Sequence, residues 1–506
     1  MSDGPIPKKK TTLDKDLKKI VRLEKATAAA GRQASKIGIA LLFLLGVVVY
    51  VALTTGGIEG GLYVVIAGVI GGYMALNIGA NDVANNMGPS VGAKALTLVG
   101  ALVIASVFEA AGAIVAGSDV VKTISKGIVD PNVMPDATTF IWAMLSALMA
   151  AAVWVNLATY LNAPVSTTHS IVGGVLGGGI AAAGWTAVNW PVMAKIAASW
   201  VISPVLGGVI AALFLMAIKK LVIFREDRIA ASRTWVPVFV AIMSAAFSVY
   251  LVMKGLKNVW FPGTAELTAI GIGAFVVTYA IVRYCVIRAS ATLENRRKSV
   301  GKLFTIPLIF SAALLSFAHG ANDVANAVGP LAAVVGAVET GDIAAKVTVP
   351  IWVLVVGAFG ISAGLVLFGP KLIRTVGEKI TRLDPVRAFA IALSAALTVI
   401  VASALGLPVS STHIAVGAVF GVGFLREYLA NRRREAAPVS LSAAPVGADA
   451  GLEMASRARA LKKSKKRRLV RRNHVYTIIA AWLVTVPCSA AVAALIFYVI
   501  RGALLP

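Results

Sequence analysis

The chain has 506 residues, 58% hydrophobic and 14% charged, with a mean hydropathy of +0.84 and a formal net charge of +25. This balance excludes a soluble globular fold. The excess of Lys and Arg sits in segments between apolar runs rather than on a polar domain, which argues against a nucleic-acid partner and for loops beside anionic lipid.

Taken in chain order, residues 1–61 comprise a polar, Lys-rich segment running to Lys36 and an apolar stretch from Ile37 to Leu53. No small-residue cleavage pattern follows that stretch, so it reads as a retained helix rather than a signal peptide. Residues 62–224 form a first unit. It carries GANDVANNMGP from Gly79, an apolar span from Leu96 to Ala116, APVSTTHSIVGG from Ala163, and a span containing SWVISP from Ser199. Residues 225–302 hold two linking helices between Trp235 and Arg288 that belong to neither unit.

Residues 303–425 begin a second unit with GANDVANAVGP from Gly320, a span from Val347 to Phe368, and LPVSSTHIAVGA from Leu407. Residues 426–472 form a basic loop; from Asn431 to Arg472 it lacks apolar periodicity and reads as a flexible tether facing the membrane. Residues 473–506 supply a final helix, Tyr476 to Ile500, containing AWLVTVP from Ala481. The span-length rule gives about ten to twelve crossings, hence an all-α membrane protein. Cys285 and Cys488 lie in or beside apolar spans and imply no disulfide framework.

Two motifs thus occur twice in the same order, with Asp82 and His169 separated by 87 residues and Asp323 and His413 by 90. The segments Lys219 to Arg233, Arg288 to Lys302 and Arg426 to Arg472 are the richest in Lys and Arg and are expected on the cytoplasmic side. The helix containing Trp200 then runs into a basic segment, whereas its counterpart containing Trp482 runs out of one. With the Lys8, Lys9 and Lys10 tail inside, the first unit starts outside and the second inside, which predicts two inverted-topology repeats with a site near the bilayer midplane.

Asn81, Asp82 and Asn85, and their counterparts Asn322, Asp323 and Asn326, lie in otherwise apolar sequence. An aspartate at the bilayer centre costs on the order of 3 kcal/mol, so it is expected to face a cavity and a partner. The neighbouring Gly and Pro residues are expected to interrupt the helix and free backbone groups; together with the side-chain oxygens these suit an alkali cation. The alternative is that Asn and Asp only cap a broken helix.

In the second motif, Pro164 precedes Ser166, Thr167 and Thr168, and Pro408 precedes Ser410, Ser411 and Thr412. Proline before hydroxyls reads as a helix start, where free amides and the dipole favour an anion. Two such ends facing each other would surround a tetrahedral oxyanion, although a lone cluster of this kind is also an ordinary cap. Gly173, Gly174 and Gly417 permit close helix approach. Three of the four histidines, His169, His319 and His413, lie on these motifs. They bond backbone at the hairpin ends or make proton-sensitive contacts with substrate. Glu109 is a further intramembrane acid and a coupling candidate, against a buried structural hydrogen bond. Ser203 and Thr485, at matching places in the third pair of segments, complete the coupling candidates.

The duplicated GANDVAN and PVS-[ST]-TH motifs resemble those of the PiT family of inorganic phosphate transporters, over about Leu62 to Phe224 and Leu303 to Ile500. The resemblance implies inverted repeats with re-entrant helical hairpins, phosphate bound between them, sodium or proton symport, no resident cofactor and a homodimer. It carries functional roles to Asp82, Asp323, Glu109 and His319, and to the hairpin hydroxyls Ser166 to Thr168 and Ser410 to Thr412, with sodium at the Asp82 and Asp323 clusters in a sodium-coupled form. The chain departs from the family at FAIALSAALTV, where Ala392 stands at a position that many relatives fill with glutamate. Expected, then, is a phosphate importer of the plasma (cell inner) membrane, N-terminus cytoplasmic, and not an enzyme. Sulfate permease, passive anion channel and membrane-embedded phospholipid-modifying enzyme are the competing readings.

Overall fold

The structure, a computed structural model, describes residues 12–161, 165–257, 259–341, 349–379, 383–435 and 472–504. The Lys8 to Lys10 tail, Pro164 and nearly all of the basic loop after Asn431 lie outside those residues. Within a bilayer a helix satisfies its own backbone donors and acceptors, and the chain folds accordingly into α1 (Thr12–Thr55), α2 (Gly61–Gly92), α3 (Leu98–Ala116), α4 (Ser118–Lys122), α5 (Ala137–Tyr160), α6 (Thr167–Ala183), α7 (Trp190–Ile218), α8 (Arg228–Gly255), α9 (Thr264–Ser290), α10 (Arg297–Leu303), α11 (Thr305–Thr340), α12 (Ile351–Lys379), α13 (Pro385–Ala404), α14 (Ser411–Glu435) and α15 (Arg472–Leu504). Single π-helical turns, Thr123–Gly127 and Lys219–Ile223, follow α4 and α7.

Twelve of these helices are long and apolar enough to cross a membrane. Helix α6, with 17 residues, extends only about 26 Å against a hydrocarbon core of about 30 Å.

One expectation is corrected. The first motif does not interrupt its helix: α2 is continuous to Gly92 with Pro89 in its last turn, and α11 is continuous around Pro330. A proline removes one backbone bond and need not break a helix that neighbours clamp. Here α11 is buried without a gap from Ser311 to Ala337. The motif's oxygens therefore come from side chains.

The two units exchange their packing partners. Helix α3 of the first lies on α11 of the second, where a Cβ at Gly320 would fall on the backbone carbonyl of Glu109. Helix α12 of the second lies on α2 of the first, where a Cβ at Gly79 would fall on the carbonyl of Ile361. The same exchange recurs behind the hairpins: Gly173 of α6 faces Val486 of α15, and Gly417 of α14 faces Pro204 of α7. Small residues at these crossings let backbones meet, which is how helices associate when lipid supplies no hydrophobic drive.

The linking helices pack on each other, and α9 buries only Val286 and Ser290. Two basic segments dock at one end of the bundle: the Arg228 amide donates to Asn295 Oδ1 (3.0 Å), Asn295 Nδ2 to the Glu226 carbonyl (2.7 Å), and Arg233 Nε to Ser290 Oγ (2.8 Å).

Candidate functional site

The four motifs converge between α2, α6, α11 and the start of α14. Because α6 and α14 begin inside the protein, their first-turn amides need local acceptors. Ser166 Oγ accepts from the His169 amide (3.2 Å) and Ser410 Oγ from the His413 amide (3.3 Å), so the first serine of each cluster is a helix cap.

The next residues reach the carboxylates of their own unit: Thr167 Oγ1 donates to Asp82 Oδ2 (3.1 Å) and Ser411 Oγ to Asp323 Oδ2 (3.2 Å). The asparagines reach across to the other unit. Asn85 Nδ2 donates to Thr412 Oγ1 (2.8 Å), and Asn326 Nδ2 to Thr168 Oγ1 (3.0 Å). The exchange then departs from symmetry, since Thr412 Oγ1 donates to Asp82 Oδ1 (3.0 Å) but Thr168 Oγ1 donates to the Val409 carbonyl (2.9 Å). Every residue of this group except Asn85 and Thr412 is buried.

Asn322 has a different duty. Its Nδ2 donates to Ser403 Oγ (3.0 Å) and the Leu407 carbonyl (3.1 Å), and its Oδ1 accepts from the Val409 amide (3.2 Å). It thereby holds the turn between α13 and α14, satisfying polar backbone that membrane depth would leave costly. Asn81 is partly buried, and the turn it would match, residues 162–164, lies outside the described residues.

A second polar group adjoins the first. His319 Nε2 lies 3.0 Å from Asp323 Oδ2 and 3.9 Å from Asp82 Oδ2, and its Nδ1 lies 3.4 Å from Glu109 Oε1. Glu109 also accepts from Asn86 Nδ2 (2.9 Å). Ligand atoms of Asp82, His319 and Asp323 all lie within 4.8 Å of one another. The two aspartate clusters, one per unit in the sequence, are thus a single centre. Asp323 Oδ1, Asn326 Oδ1 and Glu109 Oε2 are buried acceptors that receive no hydrogen bond among the described residues.

His169 and His413 are not beside the carboxylates. Their rings meet edge to face at 4.7 Å, and His169 lies against Trp200 at 3.9 Å, while Trp200 Nε1 donates to the Pro408 carbonyl (3.1 Å). Ser203 and Thr485 are buried next to the Pro204 and Val486 crossings, behind the hairpins. Asn86, Ser403 and Trp200 are the site residues that sequence reasoning missed. A signal existed for Asn86, because the second motif has Ala327 in its place.

This duplicated constellation falls within a match to the phosphate transporter family that extends over residues 78–493. The chain belongs to that family. Among its relatives, a Helicobacter pylori protein bearing the name of a phosphate permease is 46% identical over 95% of this chain and 98% of its own length. Inorganic phosphate transporter 2-1 of the Arabidopsis thaliana chloroplast is 37% identical over 84% of this chain and 70% of its own. A solved structure titled as the sodium-dependent phosphate transporter is 38% identical and superposes with a TM-score of 0.75, covering 88% of this chain and 100% of that one. As a member of this family the chain is a multi-pass membrane transporter and not an enzyme.

Proposed function

We propose that the chain imports inorganic phosphate by cation symport, with sodium as the leading coupling ion, through alternating access between two inverted halves, 62–224 and 303–425 with 473–506, joined by 225–302. The observation that carries this reading is the reciprocal pairing of Asn85 with Thr412 and Asn326 with Thr168 around the Asp82 and Asp323 carboxylates. A substrate seated there touches both halves at once, so rocking one against the other transfers its exposure from one side to the other.

Two neighbouring carboxylates repel an anion. Cations must therefore bind first, and the aspartates, asparagine amide oxygens and hydroxyls form a hard-oxygen set suited to sodium. The unpaired lone pairs on Asp323 Oδ1 and Asn326 Oδ1 support that assignment. Once cations occupy the carboxylates, Thr167, Ser411 and Thr412 are released to donate to phosphate beside the capped helix starts, and Thr168, whose hydroxyl donates to the Val409 carbonyl, stands beside them as a further phosphate contact. The cations also offset the electrical cost of importing a dianion, about 2.3 kcal/mol per charge per 100 mV.

His319, held between three carboxylates, gives this centre a proton-sensitive group, with His169 and His413 supporting the hairpins from behind. Ser203 and Thr485 remain coupling candidates through the hairpin crossings. The named sodium dependence of the structural relative, and its likeness to this chain, favour sodium over protons. We further propose a homodimer in the cell's inner membrane with a cytoplasmic N-terminus, on the family resemblance and the placement of basic loops.

The test is uptake of labelled phosphate into proteoliposomes under an imposed sodium or proton gradient, with arsenate and sulfate as competitors. Sodium-driven uptake blocked by arsenate but not sulfate is expected. Uptake that persists with both gradients abolished would sink the coupling, and strong competition by sulfate would move the substrate to another oxyanion.

A further inference from the structure

In the turn between α13 and α14, the consecutive carbonyls of Gly406, Leu407, Pro408 and Val409 are each bonded by a side chain. Thr123 Oγ1 donates to Gly406 (2.7 Å), Asn322 Nδ2 to Leu407 (3.1 Å), Trp200 Nε1 to Pro408 (3.1 Å) and Thr168 Oγ1 to Val409 (2.9 Å). The amides of the turn are bonded differently. Gly406 donates to the Ser403 carbonyl (3.0 Å), Leu407 to the Ala402 carbonyl (3.0 Å) and Val409 to Asn322 Oδ1 (3.2 Å), while Pro408 has no amide to place. All the amide partners lie in the second half. Three of the carbonyl donors, Thr123, Trp200 and Thr168, come from the first.

The outermost donor, Thr123, is presented by a braced segment. It begins the π turn after α4, its neighbour Ile124 packs over Gly329 of α11, and Asp119 of α4 is ion-paired with Lys254 and Lys257 (2.7 and 2.5 Å), at and just past the end of α8. Gly406 has a φ of +68°, and a Cβ there would lie 3.5 Å from Thr123 Oγ1, so the halves meet at this point without an intervening side chain. Carbonyls at membrane depth must be satisfied in any case. That need is met equally well by donors of either half. It leaves the division unexplained: the half that carries the turn bonds its amides, and the opposite half bonds three of its four carbonyls.

We propose that the turn 406–409 is a latch between the halves, closed in this structure, and that Thr123 and Trp200 are positioning residues for transport. They act through the turn, which sets Thr412 at the start of α14 against Asp82 (3.0 Å) and Asn85 (2.8 Å) of the other half. The inference rests on reading the two halves as bodies that rock against each other. When they part, the bonds from Thr123, Trp200 and Thr168 break together, and α14 leaves with its own half. On closure the same bonds return Thr412 to the carboxylate centre. Binding of phosphate and closing of the latch therefore go together, and a lost latch bond weakens binding.

The first test locks the contact. In a Cys285→Ser/Cys488→Ser background, the Thr123→Cys/Gly406→Cys pair is oxidised in proteoliposomes. Sodium-driven phosphate uptake is expected to be lost on oxidation and restored by a reductant; uptake that continues through the formed disulfide marks a static contact and overturns the latch. Because a side chain at position 406 strains the left-handed backbone, a second arm leaves the turn intact. Thr123→Val and Trp200→Phe each remove one donor and keep its shape. Each is expected to raise the KM for phosphate about 3- to 10-fold with the maximal rate within about twofold, and to speed hydrogen exchange at the Leu407 and Val409 amides by a similar factor. Thr123→Ser, which keeps the hydroxyl, is expected to recover most of both changes. Thr139→Val, which removes a hydroxyl bond to Asp136 at the start of α5, is expected to produce neither. The proposal is overturned if KM and exchange are unchanged in both donor variants, if the maximal rate falls at constant KM, or if Thr123→Ser is as impaired as Thr123→Val. Hydrogen exchange needs no transport. A chain that takes up no phosphate but shows the exchange pattern retains the latch and loses the transport reading, whereas sodium-driven uptake with an insensitive turn retains the transport reading and loses the latch.

Discussion

Two helix crossings in this protein share one backbone geometry and have opposite chemistry. Where α3 crosses α11, Gly320 lets the chains touch and Glu109, His319 and Asn86 fill the contact with polar groups. Where α12 crosses α2, Gly79 allows the same approach, but Ile361 stands at the place of Glu109 and Ile78 at that of His319, both fully buried. The apolar crossing shows that the fold does not need the polar one. A buried charged group is expensive in a membrane protein and its partners seldom repay the cost, which supports the proposal that the Glu109 and His319 contact serves transport.

Breaking that comparison at its centre has the largest expected effect. Asp323→Asn, next to His319, and Asp82→Asn each remove a charged acceptor from buried hydroxyls, a loss of about 1.5 to 3 kcal/mol per bond. Initial rates of phosphate uptake are expected to fall by about 100-fold in either variant. Steric change comes next. Gly320→Ala and Gly79→Ala both press a methyl onto a neighbouring carbonyl, with an expected destabilisation of about 1 to 3 kcal/mol, read as a lowered unfolding midpoint in detergent. Equal losses at the two crossings would confirm that their geometry is shared.

The sharpest variant converts one crossing into the other. Glu109→Ile with His319→Ile is expected to keep the protein folded, and to match or exceed its original stability by about 1 to 4 kcal/mol, while abolishing the dependence of uptake on pH. Glu109→Gln alone leaves His319 with altered partners and is expected to be the less stable of the two. If the double isoleucine variant transports with an unchanged pH profile, the polar crossing is structural after all. Smaller still, Ser411→Ala and Thr412→Ala each remove one neutral donor, with an expected rise of about 3- to 10-fold in the KM for phosphate. Thr412→Ala is expected to cost more, because Thr412 serves both Asn85 and Asp82.

The smallest effect lies outside the membrane spans. Burial works to raise the Asp119 carboxyl, but hydrogen bonds from Lys254 and Lys257, at 2.7 and 2.5 Å, outweigh it and hold the group below its usual range. A depressed folded value means that this contribution is complete above the unfolded carboxylate value of about 3.9 and fades as pH falls through the folded one. The unfolding midpoint of Asp119→Asn is therefore expected to fall less than that of the unaltered chain over that acidic window.

The all-helical membrane class, the duplication and most of the polar residues that the candidate site brings together were legible in the sequence because each depends on local composition or on motifs a dozen residues long. Apolar runs of membrane length have few ways to satisfy their backbones, and a repeated Asn-Asp-Asn beside a repeated hydroxyl cluster is visible without any knowledge of contacts. Other features required helices distant in the chain to meet. The tertiary structure alone decided that Asn85 bonds Thr412 rather than a hydroxyl of its own half, that two aspartate clusters are one centre, and that Glu109 belongs with His319. It also decided that Ser166 and Ser410 are spent as caps and that the motif helices run unbroken past their prolines. The reason is common to all of these. Propensity and spacing set what one segment does by itself, whereas the partner of a side chain is set by which backbones can approach, and here glycines on one half admit the helices of the other.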